Sequence, residues 1–288
     1  MNSMISRAFL SGLLIVFSFL ATAEDFDPCG LLQDQEERAL LSGAFEFKLM
    51  RQCGEISAEA PPQAAVQSEE LVQGPAQAAA ALGPTTDILV NNPALDTGHI
   101  DGHPQHASGT TQNETSVAVN GNVVCAAWND AGEGFGANGF SGFGVSSDGG
   151  QTFTDQGPFP NGPGPDRNSG DPSLIYSVRD NAFYYGALST LGLSVWVSND
   201  GCQNFIYVGP IHTGGGDDKE IMAVDNDPVS LFYGRIHVAW TDFALGGDRN
   251  VASFSIDGGA NWSVPTVLAG TGTSSQGAWP AVAPGGNV

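Results

Sequence analysis

Basic residues are scarce in this chain. Its 288 residues include only 9 Lys and Arg against 31 Asp and Glu, which gives a formal net charge of −22 at pH 7. Nucleic acids and anionic membrane surfaces are bound largely through cationic side chains, so this balance argues against both as partners. The acidic excess is typical of a solvated, self-repelling surface, and it is compatible with calcium or with neutral glycans.

Long apolar runs are also missing, apart from one near the amino terminus. Arg7 precedes a short apolar core from Ala8 to Leu20, and Ala21-Thr22-Ala23 follows as an A-x-A cleavage site. This order is typical of a secretory signal peptide, and the run is short for a membrane span. We expect residues 1–23 to be a signal peptide cleaved after Ala23, and the mature chain to be secreted or periplasmic without a membrane span. An uncleaved anchor is the alternative.

Cysteine is sparse, and the spacing of the four residues suits no zinc motif. Disulfides are permitted outside the cytoplasm. Cys29 and Cys53 flank a helical pattern whose ends would lie about 30 Å apart in one straight helix, so a bridge between them requires a break, for example at Gly43. Cys125 lies in an apolar strand and is interpreted as a small core residue, whereas Cys202 is expected near the surface.

One short signature, S-x-D-G-x-x-x-(F/W), occurs three times. Its aspartates are 52 and 57 residues apart, an interval that is too long for a helical repeat and close to a four-stranded propeller blade. Each copy follows a short apolar run, so it predicts the turn that ends a strand. The copies contain Ser146, Asp148, Gly149 and Phe153; Ser198, Asp200, Gly201 and Phe205; and Ser255, Asp257, Gly258 and Trp262.

The residue types of the signature suit a tight turn. The Asp can accept hydrogen bonds from backbone N–H groups ahead of it, the Gly supplies a positive φ, and the aromatic residue anchors the next strand in apolar surface. We interpret the three aspartates as turn residues; a catalytic carboxylate is the alternative. Two further apolar segments precede each turn. One blade is therefore predicted to contain an inner, a second and a third strand, followed by the turn and then by an outer strand.

These residues resemble the Asp-box, or BNR, repeat of the sialidase-like β-propellers, and the resemblance covers roughly residues 110 to 288. It implies an all-β propeller of the sialidase superfamily, similar to bacterial secreted exo-α-sialidase-like proteins. Three blades are present, and a fourth copy begins at Trp279-Pro280-Ala281. Because propellers close with four to eight blades, we expect the chain to be a fragment or to close by association, and we favour the fragment.

The chain divides into four parts. The signal peptide is followed by a helical segment at 24–54, which either packs on the propeller or binds a partner. An Ala/Gln/Pro-rich linker and polar lead-in span 55–112, and the partial propeller spans 113–288. His99, His103 and His106 could bind a metal, but no helix or strand fixes them. No metal site or cofactor is therefore predicted; calcium is compatible with the charge, but no motif supports it.

The resemblance also sets what an active site would need. Sialidases of this fold use an arginine triad, a Tyr–Glu nucleophile pair and an Asp acid/base. The usual Arg-Ile-Pro motif is absent, since the nearest string, Arg235-Ile236-His237, lacks the proline. No catalytic residue can be carried over. The ligand face of such propellers lies at the starts of the inner strands, and the candidates there are Glu114, Arg167, Asp171, Asp218, Lys219 and Glu220.

Three functions remain open. The preferred hypothesis is a secreted sialidase-superfamily propeller that acts as a binding or scaffold module facing glycans or another extracellular polymer. The second is an exo-α-sialidase-like glycoside hydrolase with a truncated or divergent active site. The third is a protein-interaction propeller without a carbohydrate role.

Overall fold

A computed structural model describes residues 26–39, 41–55, 88–92, 112–130, 140–246, 249–268 and 275–288. The predicted signal peptide, most of the predicted linker and the three close histidines lie outside the described residues. Three short helices come first: α1 (Gly30–Gln33), α2 (Gln35–Arg38) and α3 (Gly43–Gln52). None of the helices described is long and apolar enough to cross a membrane.

The strands that follow form three four-stranded antiparallel sheets. In each sheet the spatial order of the strands equals their order in the chain. The described chain is therefore all-β apart from its helices, and this arrangement is consistent with consecutive blades of a β-propeller. The sheets contain β1 (Gln112–Asn120), β2 (Val123–Asp130), β3 (Ser141–Ser146) and β4 (Thr154–Pro158); β5 (Asn168–Ser177), β6 (Ala182–Ser189), β7 (Gly192–Ser198) and β8 (Ile206–Thr213); and β9 (Asp217–Val224), β10 (Ile236–Asp242), β11 (Arg249–Ser255) and β12 (Thr266–Val267).

The first strands of the three sheets, β1, β5 and β9, lie side by side. A serine at the same place in two of these inner strands links each to the next. Ser116 Oγ accepts a hydrogen bond from the backbone N–H of Leu174 (2.8 Å), and Ser173 Oγ accepts one from that of Met222 (2.8 Å). The repeat therefore fixes the spacing of neighbouring sheets as well as the course of each sheet.

The second sheet is packed on both faces, and every residue of β6 is buried. Tyr185 and Trp196 pack toward the first sheet, in an aromatic cluster with Phe159. On the other face, Leu193 belongs to a cluster with Trp240 of the third sheet. Burial on both faces explains why β6 and β7 are almost continuously apolar instead of alternating.

The three S-x-D-G turns share one hydrogen-bond pattern. Ser146 Oγ donates to Asp148 Oδ1 (2.7 Å) and accepts from Gly150 N (2.8 Å), while Asp148 Oδ1 also accepts from Thr152 N (3.0 Å). The same three bonds occur around Asp200 and around Asp257. The Thr152 hydroxyl, followed by backbone N–H groups, lowers the pKa of Asp148. Each carboxylate is thus held within its own turn.

All four cysteines form disulfides, and the position of Cys202 corrects one expectation. Cys202 is not near the surface: like Cys125 it is fully buried, and the two join the second sheet to the first. The turn around Cys202 lies against the core of the first sheet, which explains its burial. Cys125 is a bonded residue rather than a free one. The Cys29–Cys53 bridge forms because the helical stretch breaks before Gly43, between α2 and α3, and also at Asp34.

The expected start of a fourth blade is not formed. The described residues 275–288 contain no strand, and Trp279 is largely exposed. This segment makes a turn in which Gly286 N donates to Ala283 O (3.0 Å). A strand needs hydrogen-bonded partners, and no strand within the described ranges pairs with it.

We predict that the conformation of Cys202 makes Gly the best replacement there. Cys202 has φ +67°, and it stands where the other two turns have Gly150 (φ +87°) and Gly259 (φ +84°). Losing the disulfide, which joins residues 77 apart in sequence, should cost about 4 kcal/mol. Cys125→Ala/Cys202→Gly should then be more stable than Cys125→Ala/Cys202→Ala by up to about 1 kcal/mol, because Ala resists a positive φ. Urea unfolding measures both.

Gly150→Ala is the matched control. A Cβ there would meet no atom closer than 3.9 Å, so its cost reports the backbone conformation alone. It should destabilise the protein by about as much as Ala does relative to Gly at position 202. Equal stability of the two double variants would contradict the prediction.

Candidate functional site

Each inner strand begins with a backbone irregularity at the same place. Glu114 (φ +52°), Asp171 (φ +52°) and Lys219 (φ +57°) adopt left-handed conformations where the strand register shifts. Such bulges redirect side chains and are costly for residues other than Gly. Here they bring the three side chains together: Lys219 Nζ lies 2.9 Å from Glu114 Oε2, and Asp171 is close enough to Glu114 to raise the pKa of its carboxyl.

Five of the six predicted ligand-face residues therefore form one group. We call Glu114, Asp171, Asp218, Lys219 and Glu220 the inner-strand cluster. Three of its four acidic members are deeply buried, since Asp171, Asp218 and Glu220 are 3%, 2% and 1% exposed, whereas the side chain of Glu114 is partly buried. Their role in binding a ligand stays a prediction.

Burial raises the pKa of the carboxyl groups in this cluster. It raises the pKa of Glu114 to about 8, and the neighbouring Asp171 adds to the effect. Burial also raises the pKa of Asp171, Asp218 and, most of all, Glu220. Both oxygens of Glu220 and Oδ2 of Asp171 lack a hydrogen-bond donor in the described part of the chain. Protons retained on some of these carboxyls relieve the repulsion and supply donors.

The amino-terminal helices cover the cluster. The backbone N–H and the hydroxyl of Ser42 donate to Asp218 at 3.0 and 2.6 Å, and Ser42 Oγ accepts from Phe45 N (3.0 Å), which caps α3. The ring of Phe45 stacks on that of Phe243, with centroids 5.9 Å apart. We call residues 26–55, closed by the Cys29–Cys53 disulfide, the helical unit. It packs on the second and third sheets, which was one of the two expectations for this segment; binding of a partner stays a prediction.

A cleft of about 730 Å³ opens beside the helical unit. Arg167, the sixth predicted residue, lies here and not in the inner-strand cluster. The opposite wall carries Lys48 of α3, which is buried and whose Nζ has no hydrogen-bond acceptor among the described residues. Burial lowers the pKa of Lys48, against the opposing effect of Asp217, Asp218 and Glu220. The lining also includes Gln52, Ser169, Thr190 and Leu191.

Ser42, Lys48 and Gln52 were missed at the level of sequence. They lie in a helical pattern with no motif, and only the fold places them against strands far along the chain. His212 converges with Asp217 and Asp242 where β8 ends, β9 begins and β10 ends, and of these three residues His212 and Asp242 were missed at the level of sequence. The Gly214-Gly215-Gly216 run between His212 and Asp217 is the one local signal of a close approach of the backbone.

The geometry limits the chemistry of the cluster. With a pKa near 8, Glu114 is mostly protonated at neutral pH and could donate a proton. Glycoside hydrolysis, however, uses two carboxyl groups about 5 to 9.5 Å apart with the sugar between them. Asp171 is buried beside Glu114, and Asp218 is capped by Ser42. A sugar therefore has room in the cleft and not between these carboxyls.

No protein-family model matches the chain, and no curated protein matches it. Among solved structures it is similar to an exo-β-1,3-galactanase from Clostridium thermocellum (13% identity, TM-score 0.42, 55% of this chain and 36% of that chain). It is also similar to a GH43_12 protein from a capybara gut metagenome (12%, 0.42, 57% and 32%). A third is the GH93 α-L-arabinofuranosidase of Fusarium graminearum (11%, 0.41, 54% and 48%). The chain spans about a third to a half of the length of these structures.

We predict that Glu114 makes the protein less stable as the pH rises. An unfolded Glu loses its proton near pH 4.3, whereas folded Glu114 keeps it to about pH 8. The folded state therefore binds more protons in this window, and stability falls as pH increases across it. Glu114→Gln mimics the protonated side chain. Its melting temperature should match that of the parent near pH 5 and exceed it at pH 9.

Glu37→Gln, which changes an exposed carboxyl of the helical unit, is the control and should follow the parent at every pH. Parallel pH profiles for the parent and Glu114→Gln would show that the Glu114 carboxyl is not held in its protonated form.

Proposed function

We propose that this chain is an exported glycan-binding module of the sialidase superfamily and that the cleft beside the helical unit is its ligand site. The observation that carries the proposal is the lining of this cleft. A guanidinium from Arg167, an amide from Gln52 and hydroxyls from Ser169 and Thr190 surround about 730 Å³. Sugar hydroxyl groups both donate and accept hydrogen bonds, and this mixture of donors and acceptors suits them.

The repeat supports the superfamily. Three consecutive antiparallel meanders end their third strands in turns with one shared hydrogen-bond pattern, and the inner strands are linked through a repeated serine. Two disulfides support export, because such bonds persist in oxidising compartments. The Ala21-Thr22-Ala23 site remains the proposed point of cleavage.

Binding is preferred over hydrolysis because the acidic residues lie under the helical unit. An exo-α-sialidase-like hydrolase is the second candidate, and the raised pKa of Glu114 favours it, since a general acid must be protonated at working pH. A protein-interaction module is the third. Exposed apolar side chains favour it: Leu231, Val229 and Trp279 are 94%, 87% and 78% exposed.

The binding proposal predicts that the full chain retains glycans on an array and that Arg167 is needed for this. Arg167→Ala should weaken binding of a retained glycan about 10-fold or more, a typical loss for a charged hydrogen-bond donor, when measured by calorimetry. Arg249→Ala removes the same charge from a residue that does not line the cleft and should change the affinity little. An empty array, or equal affinities for the parent and Arg167→Ala, would count against a glycan site in this cleft.

The hydrolase alternative makes the opposite prediction. We expect no turnover of a fluorogenic sialoside, because Asp171 and Asp218 are buried and Asp218 is capped by Ser42. Turnover that is lost in Asp171→Asn but kept in Asp227→Asn, a turn residue of the third sheet, would establish hydrolysis instead.

A further inference from the structure

One group of metal-binding side chains lies outside both the inner-strand cluster and the cleft lining. His212 is the second-to-last residue of β8, Asp217 begins β9, and Asp242 ends β10. One ligand atom from each lies within 4.8 Å of the other two. The three come from neighbouring strand ends, which are rigid positions, rather than from one flexible loop.

We propose that His212, Asp217 and Asp242 bind a divalent transition-metal ion, of which Zn²⁺ is the representative. Two carboxylates and one imidazole form a mixed N/O donor set. Imidazole suits Zn²⁺ and its neighbours, whereas Ca²⁺ and Mg²⁺ take oxygen ligands. The site is independent of the glycan proposal, because it depends on none of the cleft contacts.

The distances fit a common ion. His212 Nδ1 lies 3.0 and 2.9 Å from the two oxygens of Asp217. Ligand atoms that share an ion at about 2.1 Å lie at most about 4.2 Å apart, so shifts of less than about 1 Å bring all three ligands into range. When Nδ1 binds the ion, its proton is released to solvent or moves to Nε2, which is the remaining nitrogen of the neutral imidazole.

Partners outside the group already orient its carboxylates. Trp240 Nε1 donates to Asp217 Oδ1 (2.9 Å), and Ala244 N donates to Asp242 Oδ1 (2.9 Å). Such outer contacts are typical of metal sites, where they fix the direction of each ligand. The ring of His212 lies against Trp240, with centroids 5.3 Å apart, which restricts the imidazole.

The surroundings approach the group closely and leave a path of entry at His212. Added Cβ atoms at Gly192 and Gly214 would lie 2.9 and 3.2 Å from Asp217 Oδ2, so only glycine lets the backbone pass here. Asp217 and Asp242 are buried, whereas the side chain of His212 is 26% exposed. Two buried carboxylates beside one partly exposed imidazole form a negative site that a cation can reach from solvent.

The test is calorimetry with Zn²⁺ on the full chain after chelator treatment. The parent for comparison is His99→Gln/His103→Gln/His106→Gln, which removes the histidines outside the described residues as competing ligands. All four cysteines are in disulfides and cannot compete. We expect about one Zn²⁺ per chain, binding that millimolar Ca²⁺ does not displace, and a higher melting temperature with Zn²⁺.

Two site variants and one control decide the result. Asp242→Asn keeps an oxygen for Ala244 N, and His212→Gln keeps a donor for Asp217. Each should weaken Zn²⁺ binding at least 10-fold, in line with the loss of a metal-ligand contact. His237→Gln, which removes a half-buried histidine outside the group, should leave the affinity unchanged. Melting of the metal-free proteins checks that each is folded, and if one variant fails to fold the other decides.

Either of two results would overturn the proposal. One is the absence of saturable Zn²⁺ binding in the parent. The other is a folded Asp242→Asn or His212→Gln variant that binds Zn²⁺ as tightly as the parent does, which would leave a plain ion pair between His212 and Asp217.

Discussion

The burial of several carboxyl groups at the starts of the inner strands is the constraint on which the rest of this structure depends. Like charges in a desolvated space repel, so each must gain a proton, a cation or a hydrogen-bond donor. Glu114 keeps its proton at neutral pH beside Lys219, and Ser42 supplies two donors for Asp218. The helical unit thus supplies hydrogen-bond donors to the sheets and also covers their apolar surface. Without it, Asp218 would lose its cap and the apolar faces around Phe243 their cover.

The helical unit covers these acids, so the accessible polar surface of this region lies beside the unit, in the cleft. The open space lies between α3 and the second sheet, where neutral polar groups and Arg167 face solvent. The group formed by His212, Asp217 and Asp242 belongs to the same end of the sheets, because β8 ends and β9 begins there. The inner-strand cluster, the cleft and this group therefore share one end of the sheets. The S-x-D-G turns lie at the other end of their strands, and their polar groups form hydrogen bonds within each turn.

How far the sequence predicts this structure depends on the range of the contacts involved. The signature turns were predictable because the bonds around Asp148 span at most four residues. The convergence of Glu114, Asp171 and Lys219 followed from their repeated place before each inner strand. The burial of Cys202 was not predictable, because it depends on a partner 77 residues away. The contact of Ser42 with Asp218 and the position of Lys48 could not be predicted from local sequence patterns either. The same holds for the missing strand at Trp279, which pairs with no strand among the described residues.

The contact between Ser42 and Asp218 also joins residues 176 apart. During synthesis the helical unit therefore emerges long before the strand on which it docks. The Cys29–Cys53 bridge joins residues only 24 apart, so it can form before the third sheet has been synthesised. Such a unit can form before the third sheet exists, and the slow step of assembly becomes the docking of the unit on that sheet, through a contact between residues 176 apart.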